Sequence, residues 1–181
     1  EGQPLTVKTE RGTVRARDGV ILASHTPPGI HSVHGYLEPM RSYVIVATLQ
    51  AGQDVPDGLY WTTNEPYEYI RSHRTDQASF LIVGGADTKT GEGHEESAYR
   101  YLERWVRERF QVAEIRFRWS SQFYEPADGL PIVGNAMFHK HIYLATGFSG
   151  DGLTFGTLAA LMNVEEISNG APIRADDRIL P

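Results

Sequence analysis

The sequence predicts an α+β fold, in which short strands and two helices follow one another irregularly along 181 residues. Three observations support this class. The β-prone runs are short and are bounded by glycine or proline turns. Residues 95–110 have the apolar spacing of an amphipathic helix. Residues 147–152 form a glycine-rich loop between a short apolar run and a second predicted helix.

The first predicted elements are a hairpin and a buried strand. Residues 7–14 are two β-prone runs joined by a turn that contains Gly12, which predicts the hairpin. Residues 19–24 form a continuous apolar run that is too short for a helix and is typical of a strand covered on both faces, as in a parallel sheet. The proline pair within residues 26–29 ends this strand, because proline lacks a ladder donor and restricts the residue before it.

The central part of the chain contains further strands and the clearest helix. Strands are expected at residues 41–49, 59–62, 67–72 and 79–83. The predicted helix has glutamates at its start and arginines near its end, the arrangement that the helix dipole favours. Its apolar face consists of Tyr99, Leu102, Val106 and Phe110.

Apolar and charged residues then alternate with a period of two. Phe117 and Trp119 share one face and Arg116 and Arg118 the other, which predicts a long half-buried strand. Residues 128–131 turn the chain, and another short buried strand is expected at residues 142–146.

The glycine-rich loop that follows this strand carries the strongest indication of function. It has three glycines in six residues, so the backbone can pass close to a ligand without a side chain in the way. The helix predicted at residues 153–167 begins with unpaired N–H groups that favour a negative group. A phosphate fits this description, as does the electron-rich edge of a reduced flavin. The alternative is a turn that only packs the helix tightly on the strand.

The composition excludes several classes of function. A net charge of −6 without a basic run argues against a nucleic-acid or anionic-membrane partner. The absence of cysteine rules out disulfides, cysteine-ligated clusters and a cysteine nucleophile in this chain, and it favours a reducing, cytoplasmic location. No apolar run approaches the roughly 18 residues of a membrane span. Because the first residues resemble neither a signal peptide nor a methionine start, we expect the chain to be a fragment or a processed product.

Two segments resemble one known superfamily. Residues 143–154, Tyr-Leu-Ala-Thr-Gly-Phe-Ser-Gly-Asp-Gly-Leu-Thr, are similar to the C-terminal flavin motif of the D-amino-acid oxidase-like flavoproteins. Residues 125–134, Glu-Pro-Ala-Asp-Gly-Leu-Pro-Ile-Val-Gly, resemble the P-x-D-G-x-P-x-x-G segment of the same group. Residues 81–91 together with residues 119–122 resemble a narrower bacterial subgroup that often carries a Rieske domain after the flavin domain.

The resemblance implies a domain organisation. Residues 26–129 would be the substrate-binding domain, a mixed and largely antiparallel sheet with flanking helices. Residues 1–25 and 130–181 would be strand–loop–helix remnants of the FAD-binding domain. The dinucleotide-binding half with its G-x-G-x-x-G motif is missing from the sequence, so we expect FAD in the intact protein and little or none on this chain alone. That half would be the natural partner, and a Rieske cluster cannot lie here without cysteine.

The implied activity is that of an FAD-dependent oxidoreductase that removes hydride from a carbon next to nitrogen in an amine or amino acid. The cofactor performs this chemistry, so no side chain is assigned a catalytic role. The expected cofactor contacts are Ser24, His25, Gly147, Phe148, Ser149, Gly150, Asp151, Gly152, Leu153 and Thr154. The expected substrate contacts are Tyr43, Trp61, Gln122, Phe123 and Tyr124.

The resemblance also bears on the substrate. The arginine and lysine positions that relatives acting on glycine or sarcosine use to hold a carboxylate are occupied here by Phe123, Gly150 and Thr154. Because a bidentate Arg–carboxylate pair is a strong contact, its loss favours an amine, or a substrate that is anchored differently, over a simple α-amino acid. Arg41, Arg71 and Arg118 could substitute as anchors, and the alternative is that they are solvated surface arginines. By alignment, Ile82 replaces a lysine that activates oxygen in sarcosine oxidase, which favours a dehydrogenase or monooxygenase-like electron path over a plain oxidase.

Two other classes of function compete with this interpretation. One is a non-catalytic binding or interaction module, because the chain has no complete cofactor site. The other is a metal site built from the histidines, although a metal needs three or four convergent ligands and pairs of histidines are a weak signal. The histidines concerned are His31, His34, His94, His139 and His141.

Overall fold

The computed structural model describes residues 5–25, 31–53, 57–76, 78–136 and 138–169. The predicted strand end at residues 26–29 and the last residues, 170–181, lie outside this described part. The described strands are β1 Leu5–Thr9, β2 Gly12–Ala16, β3 Val20–Ala23, β4 Leu37–Leu49, β5 Leu59–Trp61, β6 Tyr69–Arg74, β7 Ser79–Lys89, β8 Val112–Pro126, β9 Ile132–Asn135 and β10 Ile142–Thr146. The described helices are α1 His31–His34, α2 Glu95–Arg107 and α3 Gly152–Asn169.

The chain divides into two compact units. Unit 1 consists of residues 1–38 and 123–181, and unit 2 of residues 39–122. The boundaries expected from the sequence were 25/26 and 129/130. Both units combine strands with helices, and most of the paired strands are antiparallel, so the predicted α+β class is confirmed.

Unit 1 contains the hairpin β1–β2 and a three-stranded sheet in the order β3-β10-β9. β3 and β10 are parallel, with Leu22 opposite Leu144, and β9 pairs with β10 in the antiparallel sense. Val33, Leu37 and Ala136 join Leu144 in a small apolar core. The parallel pairing expected for the strand at residues 19–24 is therefore present, but the expectation that both of its faces are covered is wrong within the described part of the chain, where half-buried and exposed residues alternate along β3. β9 was not predicted, because the chain turns just before this short strand.

Unit 2 is a five-stranded sheet in the order β5-β6-β7-β4-β8, with α2 packed against β7. The buried residues of α2 include Tyr99, Leu102 and Val106, as the apolar spacing predicts, and they share a core with Tyr43 and Leu81. The hydrophobic effect on this one helical face holds α2 to the sheet. β7 runs six residues further than predicted, to Lys89 instead of residue 83, because the two glycines that interrupt its apolar pattern do not end the strand.

The orientation predicted for β8 is wrong at Phe117 and Trp119. Ile115 packs against the core of unit 2, but further along the same face Phe117 is 57% exposed and Trp119 is 45% exposed. The opposite side faces the helix: Arg118 forms an ion pair of 3.1 Å with Glu96 of α2. β8 is the last strand of its sheet, and polar contacts to α2 replace the apolar packing that the alternation suggested.

No helix in the described part of the chain is long and apolar enough to cross a membrane.

Candidate functional site

The loop after β10 has an unusual backbone conformation. Gly147, Ser149 and Gly150 have φ values of 75°, 47° and 89°, all in the left-handed region. Glycine adopts this region readily, whereas a serine there is strained. A hydrogen bond of 2.7 Å from the Asp151 N–H to the Phe148 carbonyl closes the turn. The loop therefore reverses the chain within a few residues between a buried strand and the start of α3.

Gly147 is constrained by space as well as by its backbone angle. It is buried, and a Cβ atom at this position would lie 3.0 Å from Cδ2 of Leu37 and 3.5 Å from Cβ of Pro126. Any larger residue would push against the core of unit 1. Gly147 is thus needed for close packing between the loop and the core of unit 1. This agrees with the alternative interpretation of the motif, a tightly packed turn, and it leaves the other side of the loop open to a ligand.

Within the described part of the chain, the first turn of α3 presents backbone N–H groups that have no hydrogen-bond partner. The first bond of the helix runs from the Phe155 N–H to the Asp151 carbonyl, at 3.0 Å. The N–H groups of Gly152, Leu153 and Thr154 precede this ladder, and all three residues are exposed. Such a helix start is an attractive environment for a negative or electron-rich group, because the amides and the helix dipole act together.

Two parallel strands end side by side at this loop. The Ser24 N–H donates to the Ala145 carbonyl at 2.9 Å, and Thr146 Oγ1 donates to the Ser24 carbonyl at 2.5 Å. Ser24 has a φ of 61°, so a second serine in the site is held in the left-handed region. In sheets with parallel strands, ligands bind beyond the carboxyl ends of the strands. Strained backbone at such a place supports a hypothesis of function.

Tyr124 connects the loop to the end of β8. Its carbonyl accepts a hydrogen bond of 3.1 Å from the Ser149 N–H. Its ring lies edge-on to the imidazole of His25, with centroids 5.3 Å apart. His25 Nδ1 is in turn 3.0 Å from Ser24 Oγ, within hydrogen-bond distance. His25, which follows β3, is thereby held against Tyr124 beside the loop.

These elements enclose a recess of about 170 Å³. Among the described residues, the side chains that line it are small, aromatic or hydroxyl-bearing, and none of these is charged. The lining residues are Ser24, Phe123, Tyr124, Thr146, Gly147, Phe148, Ser149, Gly150 and Gly152. The recess can exclude water from one edge of a flat aromatic ligand and offer it amide and hydroxyl groups, but its volume is far below that of a dinucleotide.

Most of the residues predicted to contact a cofactor lie around this recess. Four of them do not line it: His25, which is exposed after β3, and Asp151, Leu153 and Thr154, which lie exposed on the loop end and the first turn of α3. Thr146 was not among the predicted residues, although its position as the last residue of the predicted strand was a usable signal. Two predicted substrate residues, Phe123 and Tyr124, also line the recess.

The other predicted substrate residues belong to unit 2. Tyr43 is only 2% exposed and packs edge-on against the ring of Tyr99, with centroids 5.5 Å apart, so the structure places it in the core of unit 2. Its apolar neighbours on β4 already indicated a core strand. Trp61 is 67% exposed on the outermost strand β5, and Gln122 is half-buried at the end of unit 2.

Among the described residues there is no group of three or more histidine, aspartate or glutamate side chains that could hold a metal ion. Within that part of the chain, His34, His94, His139 and His141 belong to no such group.

Known proteins resemble the chain in family and in fold. The family model for FAD dependent oxidoreductases matches residues 1–165. Glycine oxidase from Geobacillus kaustophilus has 16% sequence identity and a TM-score of 0.67, over 94% of this chain and 46% of that one. L-proline dehydrogenase from P. horikoshii has 16% identity and a TM-score of 0.65, over 91% and 46%. Iminodiacetate oxidase from Chelativorans sp. BNC1 has 13% identity and a TM-score of 0.64, over 92% and 46%.

At these identities the likeness concerns the fold, and the chain spans about half the length of these solved structures. No curated protein matches the sequence.

Proposed function

The chain belongs to the DAO family of FAD-dependent oxidoreductases, and on this premise we propose that it is the substrate-domain and C-terminal part of an enzyme that removes hydride from a C–N bond of an amine or amino acid. One observation carries the proposal. The uncharged recess at the ends of β3 and β10 opens beside the exposed amides that begin α3. An electron-rich ring edge is the kind of group that such amides stabilise.

The residues at the recess fit the flavin part of FAD. The amides of Gly152, Leu153 and Thr154 would face the ring edge on which negative charge develops. Gly147 and Gly150 let the backbone approach without a Cβ atom. When bound, FAD supplies the acceptor for the hydride. The chain's own contribution is to hold the ring, to exclude water from it and to place fixed dipoles beside it.

Two exposed surfaces of unit 1 support the proposal that the dinucleotide-binding half of the same protein completes the site. β3 is the outer strand of its sheet in the described part of the chain, and Ile21 on it is 42% exposed. α3 exposes Leu158, Leu161 and Val164. An open strand edge and an exposed apolar helix face are both surfaces that proteins normally cover. We infer that the dinucleotide-binding half of the same protein covers it.

The proposed substrate class is an amine. Phe123 and Gly150 line the recess without any charge, and Thr154 lies at the exposed start of α3. The site thus lacks the cation that would pair with a carboxylate at these positions. Ile82 in place of an oxygen-activating lysine supports a dehydrogenase over an oxidase. An associated Rieske domain and a cytoplasmic location belong to the same proposal and rest on the sequence alone.

The experiment is anaerobic reduction of the intact protein that contains this chain. We expect a bound flavin whose absorbance bleaches rapidly with primary or secondary amines and slowly with glycine or D-alanine. Rapid bleaching by glycine or D-alanine would overturn the amine assignment. An intact protein without any flavin would overturn the enzyme and leave the alternative, a non-catalytic interaction module, which the exposed apolar face of α3 favours.

A further inference from the structure

The sheet of unit 2 ends in a strand whose outer edge is apolar. β5 is the outermost strand of this sheet in the described part of the chain, and it consists of Leu59, Tyr60 and Trp61. These side chains are 58%, 48% and 67% exposed. Proteins normally protect such an edge with a charged residue or a proline, because an open edge pairs readily with another chain. β5 contains neither.

The backbone of β5 presents hydrogen-bonding groups on its outer side. β5 pairs with β6 in the antiparallel sense. The Gly58 carbonyl accepts a hydrogen bond of 3.4 Å from β6, and the Thr62 N–H donates one of 2.8 Å to the residue just before β6. Along an antiparallel strand, alternate residues direct their backbone groups to opposite neighbours. Those of Leu59 and Trp61 therefore point away from β6, to the open side.

The side chains of β5 lie on both faces of the sheet. Leu59 and Trp61 share one face, because successive side chains of a strand alternate. On this face Trp61 lies opposite Tyr69 of β6. Tyr60 is on the other face, and its hydroxyl donates a hydrogen bond of 2.8 Å to the Asp57 carbonyl. This bond holds the Tyr60 ring against its own chain.

These features make β5 complementary to a second copy of itself. Two copies of one strand that are related by a twofold axis beside it pair in the antiparallel sense. With the axis at Tyr60, Leu59 of each copy lies opposite Trp61 of the other. In this register both outward-facing residues exchange backbone hydrogen bonds. An aliphatic side chain also meets an aromatic one in each pair, and such cross-strand contacts stabilise a sheet.

We propose that β5 is a homodimer contact, in which the β5 strands of two copies pair about Tyr60 and join their two sheets into one. A second copy fits this edge because the same strand supplies both members of each pair, and because β5 carries no charge that would select an oppositely charged partner. Trp61 then contacts a second copy, and not the substrate as expected from the sequence. The contact goes beyond the proposed redox function and does not depend on it.

The size of this surface sets the expected affinity. Given their exposed fractions, the three side chains of β5 offer about 350 Å² per copy, or about 700 Å² for the pair. Backbone pairing adds to this area, but the total stays below the roughly 1,200 Å² at which stable complexes begin. We therefore expect a weak dimer, with a Kd on the order of 10 μM, that forms as the protein is concentrated.

The first test is sedimentation velocity of the intact protein over a concentration series from about 1 to about 100 μM, which brackets the expected Kd. Trp61→Lys should raise the Kd at least about tenfold, because a charged edge residue opposes strand pairing. Phe117→Lys is the matched control, since Phe117 is 57% exposed on β8 at the opposite end of the same sheet, and it should leave the Kd unchanged. A monomer at every concentration, or a dimer that Trp61→Lys does not weaken, would overturn the proposal.

A cysteine substitution tests the register. In the proposed pair, residue 60 lies opposite its own counterpart with Cα atoms about 4.5 Å apart, within the range of a disulfide. Tyr60→Cys should therefore give a disulfide-linked dimer under mild oxidation. Leu59→Cys is the control, because the two copies of residue 59 lie diagonally, more than about 7 Å apart, which a disulfide does not span. This chain contains no cysteine, so peptide mass spectrometry can assign the cross-link to position 60.

The two tests support each other. If Trp61→Lys failed to fold, the cross-link at position 60 would still decide the proposal. Equal cross-linking of the Tyr60→Cys and Leu59→Cys proteins would contradict the register, and no cross-link in the Tyr60→Cys protein would contradict the contact itself. Flavin content in the same samples tests the proposed function separately, because neither outcome at β5 depends on a bound flavin.

Discussion

Thr146 Oγ1 donates a hydrogen bond of 2.5 Å to the carbonyl oxygen of Ser24. This bond ties together the ends of β3 and β10, and Thr146 is completely buried. It therefore fixes the left-handed Ser24 at the edge of the recess. The geometry of the candidate flavin site depends on two strands that are far apart in sequence.

Thr146→Val tests this connection. Valine has nearly the same shape, so the change removes the hydroxyl and leaves the Ser24 carbonyl with one partner fewer. We expect a loss of about 1–3 kcal/mol in the free energy of unfolding and weaker flavin retention by the intact protein. Denaturant unfolding and flavin content measure the two effects. Thr157→Val is the matched control, because Thr157 Oγ1 donates to the Leu153 carbonyl at 2.8 Å on the exposed part of α3. A similar loss in both variants would contradict the role given to Thr146.

Gly150→Val tests the loop. Gly150 has a φ of 89°, and a β-branched residue there strains the backbone and adds a Cβ atom at the recess. We expect a cost of roughly 1–3 kcal/mol in stability and loss of flavin from the intact protein. The control is Gly129→Val, which has a comparable φ of 75° in a turn that is open to solvent. It should cost similar stability and keep the flavin. Stoichiometric FAD in the Gly150 variant would show that the loop does not face the ring.

Gly84→Ala tests the packing of Tyr69. A Cβ atom at position 84 would overlap the tyrosine ring, so the ring has to move off the sheet. We expect a loss of about 1–3 kcal/mol in the free energy of unfolding, as for other overpacked sites. Tyr69→Ala in the same protein should remove the clash, and a double-mutant cycle by denaturant unfolding measures the coupling. Additive effects of the two substitutions would mean that the two residues do not meet.

The Asp87→Asn substitution should change the way in which the free energy of unfolding depends on pH. Burial raises the pKa of Asp87 in the folded protein above its ordinary value of 3.8, so the folded state holds this proton more tightly than the unfolded state. The contribution of Asp87 to the free energy of unfolding is therefore greatest below pH 3.8 and is lost as the pH rises through the folded pKa. Relative to the asparagine variant, the wild type should become less stable over that rise.

Denaturant unfolding at a series of pH values checks this prediction. Asp76→Asn serves as the exposed control, and its difference from the wild type should stay small across the same range. If the difference between the wild type and Asp87→Asn stayed constant, or changed in the opposite direction, the burial of this carboxylate would be in doubt.

The sequence was sufficient for the elements with a strong local signal. The apolar spacing of α2 predicted its buried face, and the glycines of residues 147–152 predicted the turn between β10 and α3. Both signals arise within a few consecutive residues. The left-handed conformation of Ser24 and Ser149 carries no such signal, because serine adopts it only when the surrounding structure imposes it.

Features that depend on contacts between residues far apart in the sequence could not be predicted from any short segment. Alternation along β8 indicated two different faces, but the side that packs on α2 was decided by Glu95 and Glu96, which lie far away in sequence. Tyr43 was predicted to line a pocket, and its burial depends on packing against Tyr99, which lies far away in the sequence. The close approach of Tyr69 to Gly84 joins two strands, so no single stretch of sequence indicated it.

The most direct test of the central claim is amide hydrogen exchange of the intact protein with and without FAD. If the start of α3 receives the flavin, exchange at residues 147–154 should slow when FAD is bound, while the hairpin β1–β2 should exchange at the same rate in both states. Unchanged exchange at residues 147–154 in a protein that has bound FAD would contradict the account.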